Sequence, residues 1–230
     1  MEIDIKYLFE PPDLTKYVFL TIQPLAPLSM VNSLPGSYYK TEHVPNKLML
    51  CGLFENILNL HLSEKDRIMI QKTIKNHYKK KYKQNYEPIN SIVGYKPVLD
   101  HLFEVELPHV IPDMIFYEDL WTQHLIGGDE RHLRGVVNYD WRIEKDIIRL
   151  KEKNNSSDRN TYFENHKDRF PKYYRSPKLR EFLITNGEYT LRLKMTLSLF
   201  HLMDYAIKEN NIGYLGTSEG WVHLSIGELS

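Results

Sequence analysis

Three closely spaced glycines near the end of the chain could bring the backbone against a phosphate. Gly213, Gly216 and Gly220 lie in the segment NIGYLGTSEGWVHL. Glycines at this spacing let backbone N–H groups converge and let an RNA strand approach without meeting side chains. A tight helix-to-strand connection that needs positive φ angles explains them equally well. The segment is not a P-loop, because no Gly-Lys-Ser or Gly-Lys-Thr follows.

Two aromatic residues and a cation form a second candidate site. Tyr38, Tyr39 and Lys40 follow a Pro-Gly pair on a predicted loop. This combination suits single-stranded RNA, whose bases stack on rings and whose phosphates pair with cations. The alternative is that both rings pack the loop onto the core. Lys47, at the start of a predicted helix, could join a phosphate there or be a solvated surface lysine.

The same loop holds residues that could cleave RNA. Metal-independent cleavage needs a base, an acid and a cation near one 2′-hydroxyl, and Tyr39, Lys40 and His43 are close enough in sequence to supply them. Histidine and tyrosine also contact RNA commonly without catalysis. Binding without cleavage is therefore the favoured interpretation.

Two further basic clusters are candidates for nucleic-acid contact. The strongest lies in the run HYKKKYKQNY, where tyrosines are interleaved with Lys79, Lys80, Lys81 and Lys83. A solvated helix end explains this run as well as a nucleic-acid surface does. The second cluster, Arg131, His132 and Arg134, follows a Gly-Gly-Asp turn on a predicted hairpin. It could contact phosphates or a neighbouring protein subunit.

No motif predicts a metal or a cofactor. The ten histidines are scattered without H-E-x-x-H or comparable ligand spacing, and no G-x-S-x-G is present. The single cysteine, Cys51, excludes an internal disulfide and a multi-thiolate site.

Composition limits the class of protein. The 230 residues include 30 basic and 30 acidic ones, so the formal net charge is zero and any nucleic-acid site must come from local clustering. A neutral chain also fits a subunit that spends its surface on protein neighbours. The acidic N-terminus is not a secretory signal, and no window has the apolar length of a membrane span. We expect a cytoplasmic location and no membrane partner.

The first half of the chain predicts one strand and two helices. Residues 17–23, YVFLTIQ, are apolar on both faces, which is typical of a central strand covered on two sides. Prolines then break the chain into a loop. Residues 46–62 predict a helix capped by Asn46, and Ser63 begins a second helix with Asp66 at the reciprocal capping position.

The second half predicts mainly strands. INSIVGYKPVL and LFEVEL resemble short strands, whereas residues 151–160, KEKNNSSDRN, predict a mobile loop. Strict alternation predicts a strand over 189–197, and helical spacing follows over 199–207. WVHLSI predicts the last strand.

The order of these elements predicts an α+β fold. Strand–helix at the front and strand–helix–strand at the back fit a ferredoxin-like (RRM-like) palm domain. We expect one domain over residues 1–230, with long loops and an inserted β-hairpin thumb within about 87–185. Because this arrangement serves many functions, it does not by itself assign one.

Three segments together resemble the fifth family of CRISPR-associated proteins, a branch of the RAMP superfamily. The first is TIQPLAPLSM, a strand that leaves through prolines into a loop containing Ser29. The second is VPNKLMLCGLFENILNLHLS, which is similar to the family's first helix. The third is IGYLGTSEGWVHL, similar to the superfamily's C-terminal glycine-rich loop. The resemblance implies the ferredoxin-like palm with its thumb.

The resemblance also implies a function. Such proteins are subunits of type I surveillance complexes, often called Cascade, which act in antiviral defence. They bind the 5′ handle of CRISPR RNA (crRNA), contact a backbone subunit through the thumb, and receive a large subunit on another face. Ser29, the tyrosine loop and the glycine-rich loop would then contact the handle, and the lysine run could meet handle, spacer or target DNA.

Two other functions remain open from the sequence. Some relatives cleave precursor crRNA, so a metal-independent endoribonuclease is the first alternative. A scaffold that binds only proteins is the second, and the zero net charge favours it. The leading expectation is a non-catalytic ribonucleoprotein subunit.

Overall fold

The computed structural model describes residues 5–31, 38–89, 94–126, 142–152, 156–166, 169 and 173–228. The chain divides into two units, Met1–Asp119 together with Arg180–Ser230, and Leu120–Leu179. The predicted insertion, about 87–185, encloses the second unit.

Eight strands and five α-helices lie in the described part of the chain, with a 3-10 turn at Ile5–Phe9 and a π-helical turn at Tyr78–Tyr82. In chain order they are β1 (Leu14–Pro24), β2 (Tyr38–Tyr39), α1 (Lys47–Ile57), α2 (Glu64–His77), β3 (Phe103–Val110), β4 (Asp113–Ile126), α3 (Arg142–Glu152), α4 (Ser156–Asn165), β5 (Tyr173–Asn186), β6 (Tyr189–Thr196), α5 (Leu197–Glu209), β7 (Ile212–Tyr214) and β8 (Trp221–Glu228).

A five-stranded sheet in the order β3-β6-β1-β8-β7 forms the centre of the first unit. Each neighbouring pair is antiparallel. α1 follows β1, and α5 connects β6 to β8. If the short edge strand β7 is set aside, the remaining order is second, third, first and fourth, which is the ferredoxin-like arrangement. The predicted α+β fold class is confirmed.

One face of this sheet is covered and the other is open. On β1, Val18, Leu20 and Ile22 are fully buried, whereas Tyr17 and Phe19 are each 37% exposed. The expectation that both faces of this strand are covered is therefore wrong. Both α1 and α5 pack on the side of the sheet that holds Val18, Leu20 and Ile22, so the aromatic residues on the other side of β1 remain exposed.

The side chains predicted to cap α1 and α2 make the expected capping hydrogen bonds. Asn46 Oδ1 accepts from Met49 N at 3.0 Å, and Ser63 Oγ accepts from Asp66 N at 3.2 Å. α1 ends at Ile57 rather than at residue 62, because the chain reverses through Asn59 with φ 56°. Asparagine tolerates this left-handed conformation better than most residues.

The strand predicted at INSIVGYKPVL is not formed by its described residues, 89 and 94–99. The backbone groups of residues 96–98 bond to side chains of the two preceding helices instead of to a strand. Arg67 donates to Lys96 O at 3.1 Å, Gln71 donates to Pro97 O at 2.7 Å, and Glu55 accepts from Val98 N at 2.9 Å. The strand predicted at LFEVEL is present as β3.

The second unit contains α3 and α4. The mobile loop predicted over 151–160 is wrong where the structure describes it, because Ser156–Asn165 is helical. Tyr162 donates to Asp146 Oδ2 at 2.8 Å, and this bond joins α4 to α3. Residues 153–155 lie outside the described residues.

A smaller sheet has the order β2-β5-β4. β2 gives the loop after β1 a two-residue strand that the sequence did not predict. None of the helices within the described ranges is long and apolar enough to cross a membrane.

Candidate nucleic-acid interface

The glycine-rich loop packs directly on the loop that follows β1. Gly216 has φ +80°, and a Cβ built there would lie 2.5 Å from the carbonyl oxygen of Ser29. At Gly220 a Cβ would lie 2.3 Å from Leu215 O. Neither position can hold a side chain without a shift of backbone, so close packing within the chain explains both glycines.

Gly213 serves a different contact. Its Cβ would lie 2.9 Å from Leu53 Cδ1 and 3.1 Å from Ile57 Cδ1 on α1. The missing side chain lets β7 approach the helix. All three glycines thus have a structural role, and RNA contact at them stays a prediction.

The segment around Ser29 is tied to β5. Leu28 and Leu183 exchange backbone hydrogen bonds at 2.9 and 2.8 Å. Met30 N donates to Thr41 Oγ1 at 2.8 Å, and Thr41 N donates to Glu181 Oε2 at 3.0 Å. Ser29 itself is fully buried, and its hydroxyl has no hydrogen-bond partner among the described residues. Contact between the Ser29 side chain and RNA would require this segment to open.

The two tyrosines of the candidate loop form β2, which is also a neighbour of β5. Tyr38 donates to Glu181 Oε1 at 3.2 Å, and Arg180 lies 5.0 Å from the centroid of the Tyr39 ring. Desolvation, together with the Glu118 and Glu181 carboxylates, raises the pKa of Tyr38 to about 12, so this phenol stays protonated. Both rings are only partly buried, and Lys40 beside them is exposed.

A continuous set of contacts therefore joins the two predicted loops. It runs from Gly216 to Ser29, through Met30 and Thr41, to Glu181 and Tyr38. The antiparallel pairing of β1 with β8 produces it, since the loop after β1 and the loop before β8 lie at the same end of the sheet.

An apolar cavity of about 380 Å³ lies between α1 and the glycine-rich loop. Leu53, Tyr95 and Tyr214 line it, together with Asn56 and Thr217. The Thr217 hydroxyl is buried without a hydrogen-bond partner in the described part of the chain. The sequence did not predict this cavity, because Tyr95 is far from the loop along the chain.

The cleavage candidates Tyr39, Lys40 and His43 do not share one environment. The Tyr39 ring lies beside Arg180, and the His43 ring lies 4.8 Å from the Phe116 ring. Lys40 and His43 border one surface pocket. No group of three or more His, Cys, Asp or Glu residues that could hold a metal occurs among the residues described.

The other predicted cations differ in how available they are to a phosphate. Lys47 pairs with Glu104 at 2.8 Å, so a phosphate would have to displace this carboxylate. Lys79, Lys80, Lys81 and Lys83 are all exposed. The rings of Tyr78 and Tyr86 are buried, so they are not available for base stacking. Arg131, His132 and Arg134 lie outside the described residues.

The family model of CRISPR-associated protein Cas5p matches residues 3–226. The chain belongs to this family. The resemblance found in the three segments is confirmed, and the match extends it to nearly the whole chain. No curated protein matches the chain.

Two solved structures are similar to this Cas5p-family chain. One is the cryo-EM structure of the type III-B Cmr-beta bound to cognate target RNA and AMPPnP, with 12% identity and a TM-score of 0.35. The other is type III-B Cmr-beta bound to cognate target RNA, with 12% identity and a TM-score of 0.33. Each match covers 92% of this chain but only 64% of the other, so the chain spans less than two thirds of their length.

Proposed function

We propose that the chain is a non-catalytic subunit of a type I CRISPR surveillance complex in the cytoplasm. It binds the 5′ handle of crRNA at the glycine-rich loop and the tyrosine loop. Its protein partners are the backbone subunit and the large subunit, and target DNA is a further partner.

The contact between Gly216 and Ser29 carries this proposal. These residues come from two of the three segments that carry the family resemblance, and the structure brings them within van der Waals distance. The loop lacks side chains only at its glycines, so its backbone can be approached there. Tyr38, Tyr39 and Lys40, joined to it through Thr41, add partly exposed rings and a cation. Together they provide backbone donors, stacking and charge, which single-stranded RNA recognition uses.

Binding to handle RNA tests the proposal. Tyr39→Ala should weaken binding by about 1–3 kcal/mol if a base stacks on this ring. The pair Tyr38→Phe and Tyr38→Ala is a matched control, since Phe keeps the ring and removes only the hydroxyl, which bonds to Glu181 and Glu118. We expect Phe to bind nearly like the parent and Ala to bind more weakly. Parent-like affinity in Tyr39→Ala and Tyr38→Ala, with circular dichroism confirming folding, would place the handle site elsewhere.

The reaction of purified protein with repeat RNA in EDTA tests the non-catalytic part. We expect intact RNA. Specific cleavage beside the repeat stem, lost in His43→Ala, would instead identify an endoribonuclease. Co-purification with short RNA of uniform 5′ end would exclude the protein-only scaffold.

A further inference from the structure

The open face of the five-stranded sheet has two exposed aromatic rings at its centre. Tyr17 and Phe19 lie two residues apart on β1, and both point away from α1 and α5. β1 is the middle strand of the order β3-β6-β1-β8-β7. Large apolar rings at the centre of a sheet are ordinarily covered, so exposure here indicates a surface that meets a ligand.

Two cations from the neighbouring strand flank these rings. In the register of β1 with β6, Tyr17 lies opposite Lys194 and Phe19 lies opposite Arg192. Lys194 Nζ is 5.2 Å from the centroid of the Tyr17 ring, and the Arg192 guanidinium carbon is 5.3 Å from it. Both cations therefore lie over the Tyr17 ring, and a base that stacks there takes their place on the ring while they turn to its phosphates.

The charge at this face is partly uncompensated. Arg192 pairs with Glu106 at 3.2 Å. Glu104 lies opposite Lys194 in the register of β3 with β6, but it pairs with Lys47. Lys194 makes no ion pair with any residue that the structure describes. Its ammonium group is therefore available to a phosphate.

We propose that this face is a second nucleic-acid site, which takes an extended single strand. RNA-recognition domains stack two or three bases on aromatic rings at the centre of a four-stranded sheet, and flanking cations bind the phosphates. Tyr17 and Phe19 supply the rings, and Lys194 and Arg192 supply the charge.

The spacing of the rings selects a single strand. Two residues of strand separate them by about 7 Å. Bases in a duplex are about 3.4 Å apart along each strand. Bases stacked on both rings would be about twice as far apart, so the ligand must be unpaired and extended.

The site is separate from the proposed handle site. Tyr17 and Pro24 are seven residue steps apart along β1, which is about 23 Å of strand. The loop that meets the glycines begins only after Pro24. A nucleic-acid strand bound at Tyr17 and Phe19 therefore lies on the face of the sheet, not at the end of the sheet that holds Gly216.

Binding of a fluorescein-labelled 12-nucleotide oligo-uridylate, followed by anisotropy, tests this site. Replacing both rings, by Tyr17→Ser with Phe19→Ser, should weaken binding by at least about tenfold. Tyr205→Ser on α5 removes an aromatic side chain that is 51% exposed elsewhere on the surface, and it should leave binding unchanged. Lys194→Ala should flatten the logarithmic salt dependence by about one unit, whereas Lys208→Ala on α5 should not.

Further ligands identify what the face prefers. Oligo-uridylate and oligothymidylate of equal length distinguish RNA from DNA, and a blunt RNA duplex should bind the double variant and the parent alike. Ultraviolet cross-linking of the parent chain to oligo-uridylate should label the peptide that contains Tyr17 and Phe19. This measurement needs no variant to fold.

Two results would overturn the proposal. One is cross-linking confined to the loops around Tyr38 and Gly216, with unchanged affinity in the double variant. The other is a double variant that binds every oligonucleotide normally but no longer joins its protein partners, which would assign the face to a protein. Because handle RNA is measured separately with the Tyr39→Ala chain, failure here leaves the handle proposal standing.

Discussion

Single residues of the candidate interface are constrained mainly by what they pack against. Gly216 illustrates this, because it combines a positive φ with direct contact to a backbone carbonyl. From sequence alone the backbone surface for RNA and the tight connection were equal alternatives. The structure supplies the packing reason, because a Cβ at this position would meet the Ser29 carbonyl, whereas RNA contact at the loop stays a prediction.

Gly216→Ala and Gly94→Ala separate conformational strain from steric contact. Both glycines have nearly the same φ, +80° and +82°, but a Cβ at Gly94 meets nothing within 4 Å. Gly94→Ala should therefore destabilise by about 1 kcal/mol, the ordinary cost of a left-handed alanine. Gly216→Ala should lose roughly 1–3 kcal/mol more, because its methyl group meets the Ser29 carbonyl. Urea denaturation measures both, and equal losses would contradict the close contact.

At the scale of elements, the sequence predicted the features that depend on residues close together in the chain. Alternation located β6, and capping side chains located the starts of α1 and α2, because these features depend on neighbouring residues. The rest depended on distant partners. The segment INSIVGYKPVL resembles a strand in sequence, but Arg67, Gln71 and Glu55 bind the backbone groups of residues 96–98.

The open face of β1 could not be predicted for the same reason. The sequence YVFLTIQ does not determine which face of the strand the helices will cover. Periodicity at Tyr17 and Phe19 is visible in the sequence, but only the positions of α1 and α5 show that these two rings remain exposed. For the candidate site, the sequence identified the loops that meet and missed the cavity lined by Tyr95.

Asp100 joins several elements of the first unit. It is 4% exposed and accepts from Tyr86 Oη at 2.6 Å and from Ile89 N at 2.9 Å. The adjacent His101 ring bonds to Leu8 O in the 3-10 turn at 3.0 Å. Burial raises the pKa of Asp100, but the His101 ring 3.7 Å away, together with hydrogen bonds from Tyr86 and Ile89, outweighs burial and holds the pKa below its ordinary value.

This lowered pKa predicts a loss of stability in acid. The ionised carboxylate stabilises the fold above the ordinary aspartate pKa of about 4, and this contribution is lost as pH falls through the lower folded value. Asp100→Asn should destabilise by about 1–3 kcal/mol at pH 7 and flatten the decline below about pH 4. Asp204→Asn, which removes a carboxylate on α5 paired with Lys208, should change stability by less than about 1 kcal/mol. Denaturation curves from pH 7 to 3 would contradict the assignment if the two variants behaved alike.

At the scale of the whole molecule, the net charge of zero means that only local clusters of cations can attract nucleic acid. Thirty basic residues balance thirty acidic ones, so a general positive field cannot attract nucleic acid. Any salt-dependent affinity must arise where cations cluster. Lys79, Lys80, Lys81 and Lys83 form such a cluster at the end of α2, and all four side chains are exposed.

Two variants of equal charge test whether this cluster binds nucleic acid. One replaces Lys79, Lys80, Lys81 and Lys83 by alanine, and the other replaces Lys65, Lys145, Arg149 and Lys208, which are exposed and spread over α2, α3 and α5. Each variant has a formal net charge of about −4, so a global effect would weaken both equally. If the cluster contacts phosphates, only the first should flatten the dependence of log K on log salt, by about one unit per lost contact. Identical slopes in the two variants would identify the lysine run as the solvated end of a helix.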